Sequence, residues 1–253
     1  TAAAADAVWF NSAFHRDEFL EAIEKFLKRM PDHQPIEVIE QIRQKSSIHP
    51  PGINPAKRGL VRSAVKAGCT CTRFAPVRIL WAARWEHDKN PEDFFAAMKI
   101  LKEKGLDFRL NVIGEQFLDQ PEIFDWAKDY FADHIERWGY QSSRHEYETA
   151  LAESDIVVST ANHEFFGIGM LEAITAGCYP LLPNRLSYPT IIKSLVENKN
   201  QQQAFLYDGT VEGLVEKLEQ LTNGSAWAQP TLQENISQYF WPERTKQMDE
   251  ALM

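Results

Sequence analysis

Two cations near residue 85 have the types and spacing that bind a phosphorylated ligand. Arg84 and Lys89 lie five residues apart, between an apolar segment and a helix start that is predicted from a cap at Asn90 and a first-turn proline, Pro91. An arginine offers a planar fork of donors to phosphate oxygens, and a lysine offers a point charge. The pair therefore suits a diphosphate, whose negative charge rises when a bond to it breaks. The alternative is that both residues are ordinary surface cations.

A second stretch, residues 163–173, combines two carboxylates with glycines. Glu164 precedes a helix predicted at residues 169–176, Gly167 frees the backbone before its start, and Glu172 is expected in its first turn. Carboxylates accept hydrogen bonds from sugar hydroxyls, so Glu164 suits a sugar and Glu172 suits a ribose. In the alternative interpretation, Glu172 only complements the helix dipole.

Three further residues are weaker candidates for contact with a base. Gly114 and Gly139 each follow an apolar segment, where a glycine lets the backbone approach a ligand closely. Tyr140 could edge a planar base, although a tyrosine at such a position is more often part of a core.

The elements that must position these residues alternate regularly after residue 77. Apolar segments predict strands at residues 77–82, 108–113, 135–138, 155–159, 179–182 and 205–207, with helical patterns between them. This order predicts an α/β fold with a doubly wound parallel sheet. Ligands bind such sheets at the carboxyl ends of the strands. All the candidate residues above lie in loops that follow those ends or at the helix starts beyond them.

The charge of the chain bears on whether it binds nucleic acid. The 253 residues carry a formal charge of −9, which disfavours non-specific nucleic-acid binding by the chain as a whole. Residues 41–85, however, contain nine Lys or Arg and no Asp or Glu. This acid-free stretch is either an anion-facing surface or a solvated basic linker.

Cysteine content and terminal sequence bear on location. Three cysteines without ligand spacing predict reduced thiols in the cytoplasm and neither a disulfide framework nor a zinc site. No apolar run is long enough to predict a membrane span. The start lacks a signal-peptide pattern and an initiator Met, so we expect the chain to begin inside a domain.

Taken together, the motifs resemble those of family 4 retaining glycosyltransferases, which have the GT-B fold. The resemblance covers about residues 77–250 and rests on Arg84, Lys89, Glu164, Phe166-Gly167 and the run from Glu172 to Gly177. It implies that Arg84 and Lys89 bind the donor diphosphate, that Glu164 contacts the donor sugar and that Glu172 contacts the ribose. We add Phe166 and Gly167 to the diphosphate site and assign Glu164 as the catalytic residue. From their positions after the strands, we assign Gly114, Gly139 and Tyr140 to the base. The resemblance also implies that transfer needs neither a metal nor another cofactor.

The N-terminal residues narrow the resemblance. Residues 6–20 and 30–33 are similar to the end of the N-terminal domain of the tRNA-queuosine mannosyltransferases. This implies GDP-mannose as donor and queuosine in tRNA as acceptor. We expect residues 1–52 to end an acceptor-side domain, residues 53–76 to form a basic linker, and residues 77–253 to form the donor-binding domain with C-terminal helices. Most of the N-terminal domain is expected to be missing, so the isolated chain is predicted not to catalyse transfer.

A tRNA acceptor gives the acid-free stretch a role. We hypothesise that four of its cations contact tRNA phosphates: Lys57, Arg58, Arg62 and Lys66. Other functions stay open, including a GT-B transferase for a lipid or saccharide, a sugar-phosphate epimerase or phosphorylase, and a non-catalytic nucleotide-sugar-binding domain. Retention of Arg84, Lys89, Glu164 and Glu172 argues against the non-catalytic alternative.

Overall fold

The computed structural model describes residues 1–55, 76–222 and 232–252, in two compact units. The first unit comprises Thr1–Gly52 and Gln238–Met253, and the second comprises Ile53–Ser237. Almost all of the predicted linker, residues 53–76, lies outside the described residues. So do the four cations hypothesised to contact tRNA: Lys57, Arg58, Arg62 and Lys66.

The elements follow the predicted alternation. The strands are β1 (Val8–Phe10), β2 (Ser46–Ile48), β3 (Val77–Ala82), β4 (Phe108–Ile113), β5 (Ile135–Gly139), β6 (Ile156–Val158), β7 (Tyr179–Pro183) and β8 (Leu206–Tyr207). The α-helices are α1 (Ala13–Leu27), α2 (Glu37–Gln44), α3 (Pro91–Glu103), α4 (Ile123–Tyr130), α5 (Arg144–Glu153), α6 (Ile168–Thr175), α7 (Tyr188–Leu195), α8 (Lys199–Gln202), α9 (Val211–Thr222), α10 (Leu232–Asn235) and α11 (Trp241–Leu252). Short 3₁₀ segments cover Ala2–Ala4, His87–Lys89 and Ile236–Tyr239.

The first unit contains a parallel pair of strands, β1 and β2, in which Phe10 lies opposite Ile48. Helix α1 begins where Ser12 accepts a 3.0 Å hydrogen bond from the amide of His15, as its N-cap position predicts. In the C-terminal part of this unit, Arg244 donates a 3.0 Å hydrogen bond to the carbonyl of Pro50. The contact ties α11 to the segment that follows β2.

The second unit contains a six-stranded sheet in the order β5-β4-β3-β6-β7-β8, and every pair is parallel. The doubly wound parallel sheet predicted from the sequence is therefore confirmed. Strand order reverses between β3 and β6, so right-handed connections divide the helices between the two faces. Helix α3 packs with α4 and α9, while α6 packs with α5 and α10. All six strands end at one edge of the sheet.

An aromatic cluster supports the central strands near that edge. Trp81, Phe94 and Phe95 are fully buried, and Trp85 stacks on Phe124 with ring centroids 3.9 Å apart. Trp85 lies in the loop after β3, so the cluster fixes the backbone beside Arg84. Among the described residues, no helix combines the length and the apolar composition that crossing a membrane requires.

Candidate functional site

The loop after β3 places its two predicted cations in different environments. Arg84 is 54% exposed and forms an ion pair of 3.0 Å with Glu86. Lys89 is only 8% exposed. Helix α3 follows immediately: Asn90 takes a left-handed conformation with φ of 51°, caps the helix, and is followed by Pro91 as its first residue. The cap and proline were predicted from the sequence, and they fix the position of Lys89.

Lys89 connects this loop to the loop after β6. Its ammonium group donates a 2.7 Å hydrogen bond to the carbonyl of His163. It also lies 3.1 Å from the carboxylate of Asp88 and 3.6 Å from that of Glu164. A buried ammonium group needs such partners because burial without them is costly. The structure thus brings together two residues, Lys89 and Glu164, that are 75 positions apart in the sequence.

Glu164 also accepts hydrogen bonds from the backbone just before α6. Its Oε1 accepts hydrogen bonds from the amides of Phe166 at 3.3 Å and Gly167 at 3.1 Å. Gly167 has φ of 91°, and a Cβ added there would lie 3.0 Å from the ring of Tyr188. The position therefore favours glycine on both conformational and steric grounds. Phe166 is buried, and its backbone amide is the group that donates to Glu164.

Glu172 does not lie in the first turn of α6, and that prediction was wrong. The helix begins at Ile168, one residue earlier than predicted, so Glu172 is its fifth residue. Its carboxylate accepts a 2.7 Å hydrogen bond from Arg144 and a 2.8 Å hydrogen bond from the hydroxyl of Tyr147. These contacts, one turn inside the helix, do not fit a residue that only complements the dipole at the N-terminus.

The two partners of Glu172 have shifted acidities. Burial, followed by the nearby carboxylate of Glu172, raises the pKa of Tyr147. Burial lowers the pKa of Arg144, but the hydrogen bonds to Glu172 and Glu148 outweigh it, and the net pKa is raised. Tyr147 therefore remains a hydroxyl donor and Arg144 remains a cation.

A cavity of about 380 Å³ lies beside this group. Its lining consists of Gly114, Glu115, Tyr140, Gln141, Ser142, Ser143, Arg144 and Tyr147. A Cβ on Gly114 would lie 1.7 Å from the carbonyl oxygen of Ala83, so only glycine fits there. Gly139 has φ of 81°, and a Cβ there would approach the side chain of Gln116. Tyr140 is exposed rather than part of the core, so its ring is free to meet a ligand.

The sequence-predicted residues thus fall into three places. Lys89, Glu164, Phe166 and Gly167 form one contiguous group, and Gly114 and Tyr140 line the cavity next to the partners of Glu172. Arg84 instead pairs with Glu86. Other basic residues of the acid-free stretch also pair with acids from outside it: Arg43 with Asp17 and Arg78 with Glu136.

Sequence reasoning missed Arg144, Tyr147 and Asp88. Arg144 and Tyr147 stand three residues apart at the start of α5, a spacing that places side chains on one face of a helix. That spacing, directly after the Gly139 loop, was the available signal. In residues 1–55, 76–222 and 232–252, no group of three or more His, Cys, Asp or Glu side chains could hold a metal ion.

Two family models match the chain. The model described as glycosyl transferases group 1 matches residues 75–239, and the model described as tRNA-queuosine alpha-mannosyltransferase N-terminal matches residues 1–53. A curated tRNA-queuosine alpha-mannosyltransferase from Drosophila melanogaster is 36% identical over 209 residues. The match covers 81% of this chain and 55% of the fly protein, so the chain spans about half the length of that relative.

Solved structures of low sequence identity share the fold. Sucrose-phosphate synthase from Thermosynechococcus elongatus has a TM-score of 0.67 at 17% identity, covering 99% of this chain and 58% of its own. Anabaena HepE in complex with UDP and glucose has a TM-score of 0.67 at 14% identity, covering 98% and 63%. A glycosyltransferase from Rickettsia africae has a TM-score of 0.65 at 16% identity, covering 97% and 62%. The fold is of the GT-B type.

Proposed function

Because the chain belongs to the group 1 glycosyl transferases, we propose that its second unit binds a nucleotide-sugar donor, GDP-mannose, for retaining transfer to queuosine in tRNA. The observation that carries the proposal is the contact between Lys89 and Glu164 at the carboxyl edge of the sheet, beside the start of α6. The ammonium group of Lys89 can bind a diphosphate, and the carboxylate of Glu164 can accept a hydrogen bond from a sugar hydroxyl.

Lys89 is the proposed partner of the donor diphosphate. Its ammonium group is held by the His163 carbonyl and two carboxylates, so it keeps one position without a ligand. A positive charge already in place stabilises the charge that develops on the leaving diphosphate. Arg84, which is exposed and paired with Glu86, would exchange that partner for phosphate oxygens. The amides of Phe166 and Gly167, which donate to Glu164 in the structure, would likewise turn to phosphate oxygens. We propose that transfer needs no metal and no further cofactor.

The two glutamates are proposed to bind different parts of the donor. Glu164 lies beside Lys89, so it is proposed to accept hydrogen bonds from the hexose. It is also the carboxylate that we propose to be catalytic. Glu172 lies beside the cavity and is proposed to accept hydrogen bonds from the ribose hydroxyls. Gly114 and Tyr140, which line the cavity, would then contact the base, together with Gly139, the neighbour of Tyr140 in the chain. The acceptor-side groups are proposed to lie outside residues 75–239, the range that the glycosyl transferases group 1 model matches.

The choice of mannose and of a tRNA acceptor is supported by the name of the fly relative and by the family match at residues 1–53. Cytoplasmic location stays a prediction from the cysteine content, and it fits a tRNA acceptor. The basic residues hypothesised to hold that acceptor, Lys57, Arg58, Arg62 and Lys66, are part of the same proposal.

Donor binding is tested by calorimetric titration of the chain with GDP-mannose, UDP-glucose and ADP-glucose. We expect GDP-mannose to bind, and the variants Lys89→Met and Glu164→Gln to weaken it. Equal affinity for the three donors would refute the guanine assignment. Failure of every nucleotide sugar to bind would remove the proposed function altogether.

The acceptor is tested with the native protein purified from its source. It is incubated with GDP-[¹⁴C]mannose and with tRNA that either carries or lacks queuosine. Label in the queuosine-containing tRNA alone is the expected result. Label in a lipid or saccharide fraction would favour the other acceptor classes, and donor binding without transfer to any acceptor would favour a binding domain.

A further inference from the structure

The loop after β6 is held by the loop after β7. We define the Glu164 loop as residues 159–167 and the clamp loop as residues 184–187. Arg185 of the clamp loop donates hydrogen bonds from Nε to the carbonyl of Ala161 at 3.1 Å and from a terminal nitrogen to that of Thr160 at 2.9 Å. The guanidinium therefore bridges two consecutive carbonyls of the Glu164 loop.

Ser187 continues the same contact further along the Glu164 loop. Its hydroxyl, which is fully buried, lies 3.2 Å from the carbonyl of Phe166 and 3.4 Å from that of Glu164. The hydroxyl is thus in reach of the peptide that carries Glu164 itself. Backbone carbonyls in a buried loop need such donors, because an unpaired one is costly.

The backbone between these two residues is strained. Leu186 has φ of 61°, in the left-handed region that a leucine rarely adopts. Strain of this kind persists where the surrounding contacts fix it, and it clusters at functional sites. Here the residues on either side of Leu186 both donate to the Glu164 loop. The left-handed residue therefore lets Arg185 and Ser187 reach the same loop.

The Glu164 loop has further anchors, and one of them is Lys89, which donates to the carbonyl of His163. That anchor belongs to the proposed donor site, whereas Arg185 and Ser187 have no role in the function proposed above. We propose that Arg185 is a positioning residue, which sets the Glu164 carboxylate for the donor hexose by holding the carbonyls of Thr160 and Ala161. The inference rests on the proposed function, because it assigns Glu164 to the hexose.

The test compares two ligands that differ only by the hexose. Dissociation constants for GDP-mannose and GDP are measured by calorimetry for the wild type, Arg185→Met, Arg185→Lys and Arg78→Met. Arg78 is the matched control: like Arg185 it donates through Nε and a terminal nitrogen, but its partner is Glu136 and it lies at the amino end of β3. Thermal unfolding of each variant is recorded alongside.

A positioning role predicts a selective effect. In Arg185→Met, the ratio of the GDP-mannose constant to the GDP constant should rise about tenfold, while GDP affinity stays near the wild type. Arg185→Lys should recover part of the ratio, because one ammonium group cannot reproduce the planar fork. Arg78→Met should leave the ratio unchanged. A loss of affinity for both ligands in equal proportion would mean a general structural role and would overturn the inference.

A double substitution shows whether Arg185 acts through Glu164. If it does, adding Arg185→Met to Glu164→Gln should change the ratio little further, whereas independent effects would multiply. Multiplying effects overturn the inference. If Glu164→Gln itself keeps the wild-type ratio, the proposed sugar role of Glu164 fails instead. If Glu164→Gln alters the ratio and a folded Arg185→Met does not, only the inference about Arg185 fails.

Ser187→Ala provides the same test if Arg185→Met does not fold. It removes a single hydroxyl from the clamp loop and keeps the backbone that Leu186 fixes. We expect the ratio to rise in this variant too, by a smaller factor than for Arg185. An unchanged ratio in a folded Ser187→Ala would contradict a clamp that sets the position of Glu164.

Discussion

The hydroxyl of Tyr147 donates a 2.8 Å hydrogen bond to Oε2 of Glu172, and Arg144 donates one of 2.7 Å to Oε1 of the same carboxylate. Burial and the neighbouring carboxylate raise the pKa of Tyr147, so its phenol keeps the proton and remains the donor at neutral pH. Each carboxylate oxygen still has acceptor capacity. Glu172 is thus held in place, beside the cavity, with room for further donors.

Ribose discrimination should depend on Glu172. Replacing it with Ala should remove the preference for GDP over dideoxy-GDP, which for an unpaired hydrogen-bonding site amounts to about 1–3 kcal/mol. Tyr147→Phe should reduce the preference without removing it, because Arg144 still holds the carboxylate. Calorimetric titration with both nucleotides measures the difference. Glu148→Ala is the control, since it removes the other carboxylate that pairs with Arg144 and keeps Glu172. A Glu172→Ala variant with the wild-type preference would rule out the ribose role.

Replacing Arg84 and Lys89 together should abolish GDP binding, whereas replacing each one alone should have a different effect on the stability of the fold. The double variant with Ala at both positions is expected to lose GDP binding. Lys89→Met alone should lower the free energy of unfolding by about 1–3 kcal/mol, because it leaves the His163 carbonyl and Glu164 without their buried partner. Arg84→Ala should change it by no more than about 0.5 kcal/mol, since the ion pair with Glu86 is exposed.

Urea unfolding and calorimetry check both parts of this prediction. In the Lys89→Met background, adding Glu164→Gln should restore part of the stability, because the carboxylate then carries no charge. Tight GDP binding by the double Ala variant would show that the diphosphate lies elsewhere.

Gly114→Ala should destabilise the second unit strongly. The new Cβ would lie 1.7 Å from the carbonyl oxygen of Ala83, and backbone must move to relieve that contact. We expect a loss of about 3 kcal/mol or more. Gly105→Ala provides the contrast: φ there is 74° and nothing lies within 4 Å, so that variant bears only a conformational cost of about 1 kcal/mol and no steric one. Urea unfolding that gives both variants the same stability would contradict the steric argument.

Much of the sheet could be predicted from sequence because its determinants are local. The apolar runs of β3 and β4 matched their predicted bounds, and the Asn90 cap with Pro91 marked the start of α3. The partners of Glu172 could not be predicted in the same way. Tyr147 lies 25 residues from it, and the contact depends on how α5 packs on α6.

Arg185 shows the same limit more clearly. Nothing in the pattern around it distinguishes it from a surface arginine, because its role depends on carbonyls that only the packing of two loops brings near. The error over Glu172 had a different origin. A shift of one residue at the start of α6, within the usual uncertainty of a helix boundary, moved the glutamate out of the first turn.

Acid should weaken the fold through His134. Both ring nitrogens are buried without a hydrogen-bond partner, and the ring packs edge-on against Phe108 at 4.6 Å. Burial, then the charges of Lys102 and Arg109, lower the pKa of His134 in the folded chain. The unfolded chain, with a histidine pKa of about 6.5, therefore takes up protons first as the pH falls. Stability should decrease below that pH and be unaffected above it.

His134→Phe tests this account. The free energy of unfolding is measured at pH 7.5 and pH 5.5 for wild type and variant. The wild type should lose up to about 1.4 kcal/mol more than the variant, the limit set by one pH unit below 6.5. The pKa of His49 is also lowered, by burial and then by Arg244. His49 therefore makes a separate contribution to the pH dependence of stability, and the variant keeps that contribution. Identical pH dependence in the two proteins would exclude His134 as a source.

The acid-free stretch should contribute to tRNA binding by the native protein. A tRNA acceptor is held through its phosphates, yet the chain carries a formal charge of −9. The hypothesis assigns the phosphate contacts to four cations of this stretch: Lys57, Arg58, Arg62 and Lys66. Three other cations of the stretch, Arg43, Arg78 and Arg84, pair with acids. Changing the four assigned cations to Ala should lower the slope of log affinity against log salt by about 0.7–0.9 for each phosphate that the variant no longer neutralises.

GDP-mannose affinity must stay unchanged in the same variant, since otherwise the donor site has been disturbed. An unchanged slope and tRNA affinity would mean that the stretch is a solvated linker and that other residues hold the RNA.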